Sequence, residues 1–398
     1  MRCRTALAAL VAAAVASAAG EAPAADALRV DQVSAGGNHT CALAAGGRVL
    51  CWGSDDEGQL GDDAVLRDRR TPVDVVLPPG GRATGIASGE HHACALLRGG
   101  SAICWGEGRF GRLGNGSRAH VSQPTPVRVL ASARLTQLTA GTYHSCALTV
   151  QGVVLCWGQD FVGQVGDDAG LVDRGRPTPV ALPRGRRATQ VSAGASHSCA
   201  VLDDGAVACW GWALSGRLGD GSTQGEQPIP VKVDLPAGRV ARSVSAGGFH
   251  TCAVLDDASA WCWGSDDEGQ LGDGDAFVDR PRPSRVALPA GRGAEAISAG
   301  DHHTCALLDD GALACWGSDA DARLGTGEAS RIERSTPHLV AGPARRRFVA
   351  VSAGFEHPCA VADDGALLCW GSDSDGQLGD DGRIRDRPTP VPVGTPGG

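Results

Sequence analysis

Short apolar runs alternate with glycine- and aspartate-rich turns along the whole chain, and no stretch keeps the 3.6-residue period of an amphipathic helix. The clearest case is His197-Ser198-Cys199-Ala200-Val201-Leu202-Asp203-Asp204-Gly205-Ala206-Val207-Ala208-Cys209-Trp210-Gly211. Its two apolar runs flank Asp203-Asp204-Gly205, which predicts a β-hairpin with a three-residue loop and glycine where φ is positive. Counting outward from the loop, Leu202 faces Ala206, Val201 faces Val207 and Cys199 faces Cys209. Variants of this hairpin occur seven times.

The copies keep a steady period. A small residue followed by glycine precedes each hairpin, placing Gly36, Gly89, Gly141, Gly194, Gly247, Gly300 and Gly354 at spacings of 53, 52, 53, 53, 53 and 54 residues. Residues 26–398 therefore form seven units of about 53 residues in a single domain, with almost nothing left over. Each unit runs from a lead-in such as Val191-Ser192-Ala193-Gly194 to a histidine, a cysteine two residues later, the hairpin loop, a second cysteine and Trp-Gly. A polar loop ending in Gly-Gln-Leu-Gly or a variant follows, and an arm such as Asp68-Arg69-Arg70-Thr71-Pro72-Val73 leads into a short strand. About four antiparallel strands per unit, seven times over, predict an all-β seven-bladed β-propeller. The C-terminal Thr389-Pro390-Val391-Pro392-Val393 matches the arm strand, while only Leu28-Arg29-Val30 precedes the first hairpin unit. The expectation is that the C-terminal strand completes the first blade and closes the ring, removing exposed edges.

The pattern Ala-Gly-x-x-His-[Ser/Thr]-x-Ala-[Leu/Val], then Gly-x-Val-x-x-Trp-Gly, Gly-Gln-Leu-Gly and Pro-x-x-Val resembles the regulator of chromosome condensation repeat, a seven-bladed propeller unit. The resemblance covers essentially everything after residue 25. It implies less about function than about fold, because one fold carries unrelated activities. The family includes secreted propellers that inhibit enzymes by face-on binding, and its eukaryotic namesake is a guanine-nucleotide exchange factor for a small nuclear GTPase.

Charge and composition narrow the choice. The formal net charge of −9 and the single lysine, Lys232, argue against a nucleic-acid partner, which calls for a basic stripe. Residues 1–25 read as a signal peptide and short leader: Arg2 and Arg4, an apolar Ala6–Ala16, and cleavage after Ala18 or Ala24. No other segment is long and apolar enough to span a membrane, so the mature chain is expected to be a secreted or periplasmic monomer.

Removal of Cys3 with the leader leaves fourteen cysteines in pairs ten residues apart. The pairs are Cys41 with Cys51, Cys94 with Cys104, Cys146 with Cys156, Cys199 with Cys209, Cys252 with Cys262, Cys305 with Cys315 and Cys359 with Cys369. Hairpin counting sets each pair directly opposite, at a non-hydrogen-bonded position where side chains approach closest. In an exported chain this is a disulfide framework. Zinc is the rival, with two cysteines and one histidine per unit, but a tetrahedral site needs four converging ligands and facing thiols oxidise first. The family pattern has apolar or small residues at these two stations, so the paired cysteines are a departure from it.

The other recurrent stations have structural readings. His39, His92, His144, His197, His250, His303 and His357 are expected to be half-buried, bonding backbone between neighbouring segments, rather than forming a ligand-binding ring. The seven Trp-Gly tryptophans are expected to pack between blades. The acidic loops Ser54-Asp55-Asp56-Glu57, Ser265-Asp266-Asp267-Glu268 and Ser372-Asp373-Ser374-Asp375 lack the spacing of a calcium loop and are read as solvated turns. Gly106-x-Gly108-x-x-Gly111 has no crossover helix after it and is a chance match to a dinucleotide fingerprint. Asn38 and Asn115 begin glycosylation sequons.

Irregular positions carry more information. Ala258 replaces the glycine of the other hairpin loops, so a different loop is expected there. Phe110, Phe161, Trp212 and Phe277 lie in or near the polar loops and are candidate binding anchors. No catalytic triad, His-Glu-x-x-His motif or isolated carboxylate pair is present, so no cofactor, metal or catalytic residue is expected. The favoured reading is a binding scaffold that contacts a protein or glycan through loops on one face. The alternatives are exchange-factor activity, from the resemblance, and a polysaccharide-acting enzyme with a site in the central channel.

Overall fold

The computed structural model describes residues 28–396 apart from 64–65, 276, 329–331, 343–345 and 381–383, so the leader at 1–25 lies outside the described residues. Seven four-stranded antiparallel sheets succeed one another along the chain. In the fourth, the strands are Ala188–Ala193, His197–Leu202, Val207–Trp212 and Glu226–Lys232, from the centre of the ring to its rim. The two middle strands are the apolar runs of the repeat and are buried along nearly their whole length, because a neighbouring blade covers each side of the sheet. The rim strand is polar and holds Pro228 and Pro230, residues that an edge strand tolerates and that discourage edge-to-edge pairing.

The hairpin register follows the count from the loop, with Val201 opposite Val207 and Cys199 opposite Cys209. All seven expected pairs form disulfides across this register, at Cα separations of 4.0–4.1 Å. In chain order Cys41 bonds Cys51, Cys94 bonds Cys104, Cys146 bonds Cys156 and Cys199 bonds Cys209. The last three blades follow suit, where Cys252 bonds Cys262, Cys305 bonds Cys315 and Cys359 bonds Cys369. The sulfurs lie in the seams. In the seam between the first two blades, Cys41, Cys51 and Leu60 pack with Ile86, Ile103 and Trp105 of the next.

Closure differs from the expectation. The C-terminal strand Arg387–Pro392 is the rim strand of the seventh blade, not part of the first, and every blade is built from consecutive strands. The ring shuts by packing: Val33, Leu50 and Trp52 join Val361, Leu367 and Leu378 in a seam like the other six. Leu28 and Val30 also donate backbone hydrogen bonds to Val393 and Gly365. At the centre, an added Cβ on any of the seven anchor glycines would fall 2.0–2.6 Å from the carbonyl oxygen of the next one, Gly354 meeting Gly36. Only glycine permits that approach, which accounts for its place in every unit.

The fifth hairpin is a second correction. Its loop is the same as the others, with Leu255 N–H to the Ser259 carbonyl and Ala258 N–H to the Leu255 carbonyl. Ala258 adopts the left-handed conformation, φ 63°, because the neighbouring strands dictate the loop. Glycine there removes a cost of about 1–2 kcal/mol and restores some unfolded-state freedom, so Ala258→Gly should stabilise by about 0.5–1 kcal/mol. A urea midpoint that does not rise contradicts this.

Candidate functional site: the loop face

Antiparallel pairing puts the turns between first and second strands, and the long loops between third and fourth strands, on one face of the ring. The opposite face carries the hairpin loops and the blade-to-blade connectors. Charge is uneven among the loops: 54–68, 159–173 and 265–279 hold sixteen acidic residues and one basic residue, while on the opposite face the connector arginines Arg186, Arg239 and Arg292 pair with the hairpin aspartates Asp203, Asp256 and Asp310.

Below this face lies a repeated polar frame. The seven Trp-Gly tryptophans are fully buried. Each indole N–H donates across a seam, at 2.8–3.0 Å, to the carbonyl at the Gln or Arg station of the preceding blade. In five seams a serine or threonine hydroxyl donates to the same carbonyl, for example Ser198 to Gln164 at 3.0 Å. That hydroxyl, its proton used, accepts from a histidine Nε2–H of the preceding blade, such as His144 at 2.7 Å. All seven histidines are thus fully buried and five of them bond side chains, where half-burial and backbone partners were expected. Ala93 and Pro358 stand where the other blades have the hydroxyl, and His39 and His303 have no partner among the described residues.

The acidic loops also depart from the solvated reading. Asp55 is 1% exposed; its carboxylate accepts from Leu60 and Arg67 N–H, and its own N–H donates to Asp68. Asp160, Asp266 and Asp373 repeat this, and Asp62, Asp167 and Asp273 pair with Arg69, Arg174 and Arg280. Much of the acidity is therefore internal bracing of the loops. Among the described residues no group of three or more His, Cys, Asp or Glu converges as a metal site.

Two sets of buried groups oppose each other as pH changes. Burial holds all seven histidines below their usual value, His39, His144, His250 and His357 at about 3. Burial raises Asp55, and raises Asp160 to about 7 and Asp266 and Asp373 to about 6. Unfolding near pH 5 lets the seven buried imidazoles take up protons, while Asp160, Asp266 and Asp373 release theirs. Net uptake by the unfolded chain means that stability falls as pH drops from about 6.5 towards 4. The urea midpoint should be lower at pH 5 than at pH 7; a higher one contradicts the account.

All four candidate anchors sit on the loop face, on the second to fifth blades, and no ring contact joins any two of them. Phe161 and Phe277 are 52% and 49% exposed. Phe110 is half-buried at φ 62°, with the Arg109 guanidinium 4.6 Å from its ring centre. Trp212 is half-buried and lies 5.1 Å from the Arg217 guanidinium. The central cavity measures about 70 Å³ and is walled mainly by the Ala-Gly steps.

Sequence reasoning missed the turn residues around this cavity and the arginines beside them. The turns present His91, Tyr143, Phe249 and His302 at one station, with Phe249 stacked 4.8 Å from His302. Hydrogen bonds to Glu90 and Asp301 raise His91 and His302 above the usual histidine value. The Gln of Gly-Gln-Leu-Gly also alternates around the ring with arginine, as Gln59, Arg112, Gln164, Arg217, Gln270, Arg323 and Gln377. Aligning the seven units on that glutamine would have exposed it.

The fold and its loop face define a repeat propeller with an internal hydrogen-bond frame and a variable surface. The RCC1-like domain matches residues 22–241 and the regulator of chromosome condensation (RCC1) repeat matches 257–307 and 310–361, so the chain belongs to the RCC1 repeat family. It is 33% identical over 351 residues to the ultraviolet-B receptor UVR8 of Arabidopsis thaliana, spanning 87% of this chain and 78% of that protein. The human E3 ubiquitin-protein ligase HERC2 is 29% identical over 346 residues, but the match spans only 7% of that protein. Among solved structures, Prp20p from Saccharomyces cerevisiae, studied for its binding to Gsp1p and histones, superposes with a TM-score of 0.78 at 23% identity, covering 89% of this chain and 87% of that one. Human WBSCR16 gives 0.76 at 22% identity, covering 84% and 89%. Likeness at that identity speaks to the fold.

Proposed function

We propose that this chain is an exported binding scaffold that holds a protein partner on its loop face. The observation that carries this reading is that Phe161 and Phe277, in polar loops of that face, are about half exposed. Exposed aromatics in variable loops on a rigid ring are the usual form of an interface anchor. The arginine-initiated apolar run at the N-terminus and seven disulfides, which persist in oxidising compartments, support export. The same disulfides weigh against an exchange factor for a cytosolic or nuclear GTPase.

The test is comparative capture from the native extracytoplasmic fraction. Wild-type protein and a Val153→Ala/Val240→Ala variant of the opposite face should retain the same partner, and Phe161→Ala/Phe277→Ala should lose most of it. Equal retention by all three sinks the assignment.

A further inference from the structure

Three blades carry arginine at the station where the other four carry glutamine, and all three arginines are buried: Arg112 and Arg217 at 1% exposure and Arg323 at 5%. Each braces the next blade by donating to a turn carbonyl, Arg112 to Thr142 at 3.0 Å, Arg217 to Gly248 at 3.1 Å and Arg323 to Phe355 at 3.2 Å. Their charge is treated differently. Arg112 pairs with Glu107 at 2.6 Å and Arg323 with Asp321 at 3.1 Å, each a carboxylate of the same loop. In the fourth blade those two stations hold Trp212 and Ser215. Arg217 has no carboxylate partner among the described residues, and its Nη2 makes no hydrogen bond.

Burying a guanidinium without an anion is costly, and proteins normally pair such a charge. Burial lowers Arg217 from the usual arginine value to about 10, with Asp267, Asp279 and Asp301 acting on it only through space. The surroundings are those of a recognition pocket. The Trp212 and Phe249 rings lie 5.1 and 5.3 Å from the guanidinium, both part-exposed at the loop face, and His302 stacks on Phe249. Cation–π contact compensates part of the lost hydration and leaves the ionic partner missing.

We propose that Arg217 is the floor of a binding site on the loop face for a carboxylate, supplied by an Asp or Glu side chain of the docked protein. The inference rests on the scaffold reading and adds the chemistry of its partner. Moving Trp212 aside exposes Nη2, and the two aromatic rings then hold the apolar stem of the incoming side chain. A carboxylate fits better than a phosphate: the sister arginines take carboxylates, and one free N–H edge beside three aspartates does not suit a dianion. A protein fits better than an acidic polysaccharide, because the flanking loops 159–173 and 265–279 carry ten acidic residues and no basic one, which repel a polyanion.

Phenylacetate is the probe, read by the indole N–H resonance of Trp212 in the intact nitrogen-15-labelled protein, with phenylacetamide, inorganic phosphate and glucuronate as parallel arms. Phenylacetate should shift Trp212 saturably and phenylacetamide should not. Arg217→Gln, which installs the residue four other blades use, should weaken phenylacetate at least tenfold without loss of fold. Trp212→Glu, followed by the Arg217 side-chain resonance, should block the probe by giving Arg217 the internal partner that Glu107 gives Arg112. No saturable shift, or an equal one from phenylacetamide, overturns the site. Tighter binding of phosphate overturns the carboxylate, and tighter binding of glucuronate overturns the protein partner. Failure here with Phe161→Ala/Phe277→Ala still losing the captured partner removes Arg217 from the interface and leaves the scaffold reading standing; loss of both removes the loop face.

Discussion

Reduced and alkylated in denaturant, this chain should not recover its β-sheet circular dichroism on dilution, whereas the oxidised chain should refold. Closing a ten-residue loop contributes about 2.7 kcal/mol by a chain-entropy treatment, and somewhat less in a hairpin that is already local. Seven such loops amount to about 19 kcal/mol, and even half of that rivals the roughly 5–15 kcal/mol net stability of ordinary domains. The sulfurs are also core atoms, since all fourteen cysteines are at most 1% exposed, so alkylation would insert bulk into every seam. One disulfide removed on its own, as in Cys199→Ser/Cys209→Ser, should cost about 2 kcal/mol and leave the ring folded. Full recovery of structure by the reduced chain would show that packing alone specifies the blades.

Two tryptophans two residues apart should behave in opposite ways. Trp210→Ala removes a fully buried indole and the hydrogen bond it donates to Gln164, an expected loss of about 3–5 kcal/mol. Trp212→Ala removes a half-buried ring whose described contact is with Arg217, an expected loss of about 1 kcal/mol. Paired urea titrations decide it, and equal losses would contradict the division between frame and surface.

The blades were legible because three independent signals coincide in each copy: a period-two hairpin, glycine at its loop in all but the fifth, and cysteines that meet only in the correct register. What failed involved partners outside the unit. His144 finds its hydroxyl on Ser198 of the next blade, fifty-four residues away, so nothing beside it in the chain distinguishes half-burial from full burial. Asp55 looks like a turn residue until Leu60, Arg67 and Asp68 fold around it. Ala258 misled because a local preference of about 1–2 kcal/mol is small against a hairpin held by neighbours on both sides. The closing strand was misplaced because the match of Thr389–Val393 to the arm fits the seventh blade as well as the first, and only the seam between Trp52 and Leu378 decides. The candidate anchors stood out as breaks in the repeat, whereas Arg217 was hidden because arginine at that station looks ordinary until its missing carboxylate is noticed.

Hydrogen–deuterium exchange on the complex with the captured partner tests the central claim most directly. The account predicts protection in the loop-face segments 107–122, 159–173, 213–225 and 265–279 and in the turn at Gly248-Phe249. Protection confined instead to the hairpin loops 203–206 and 256–259 and the connector 180–187 would place the function on the opposite face and contradict it.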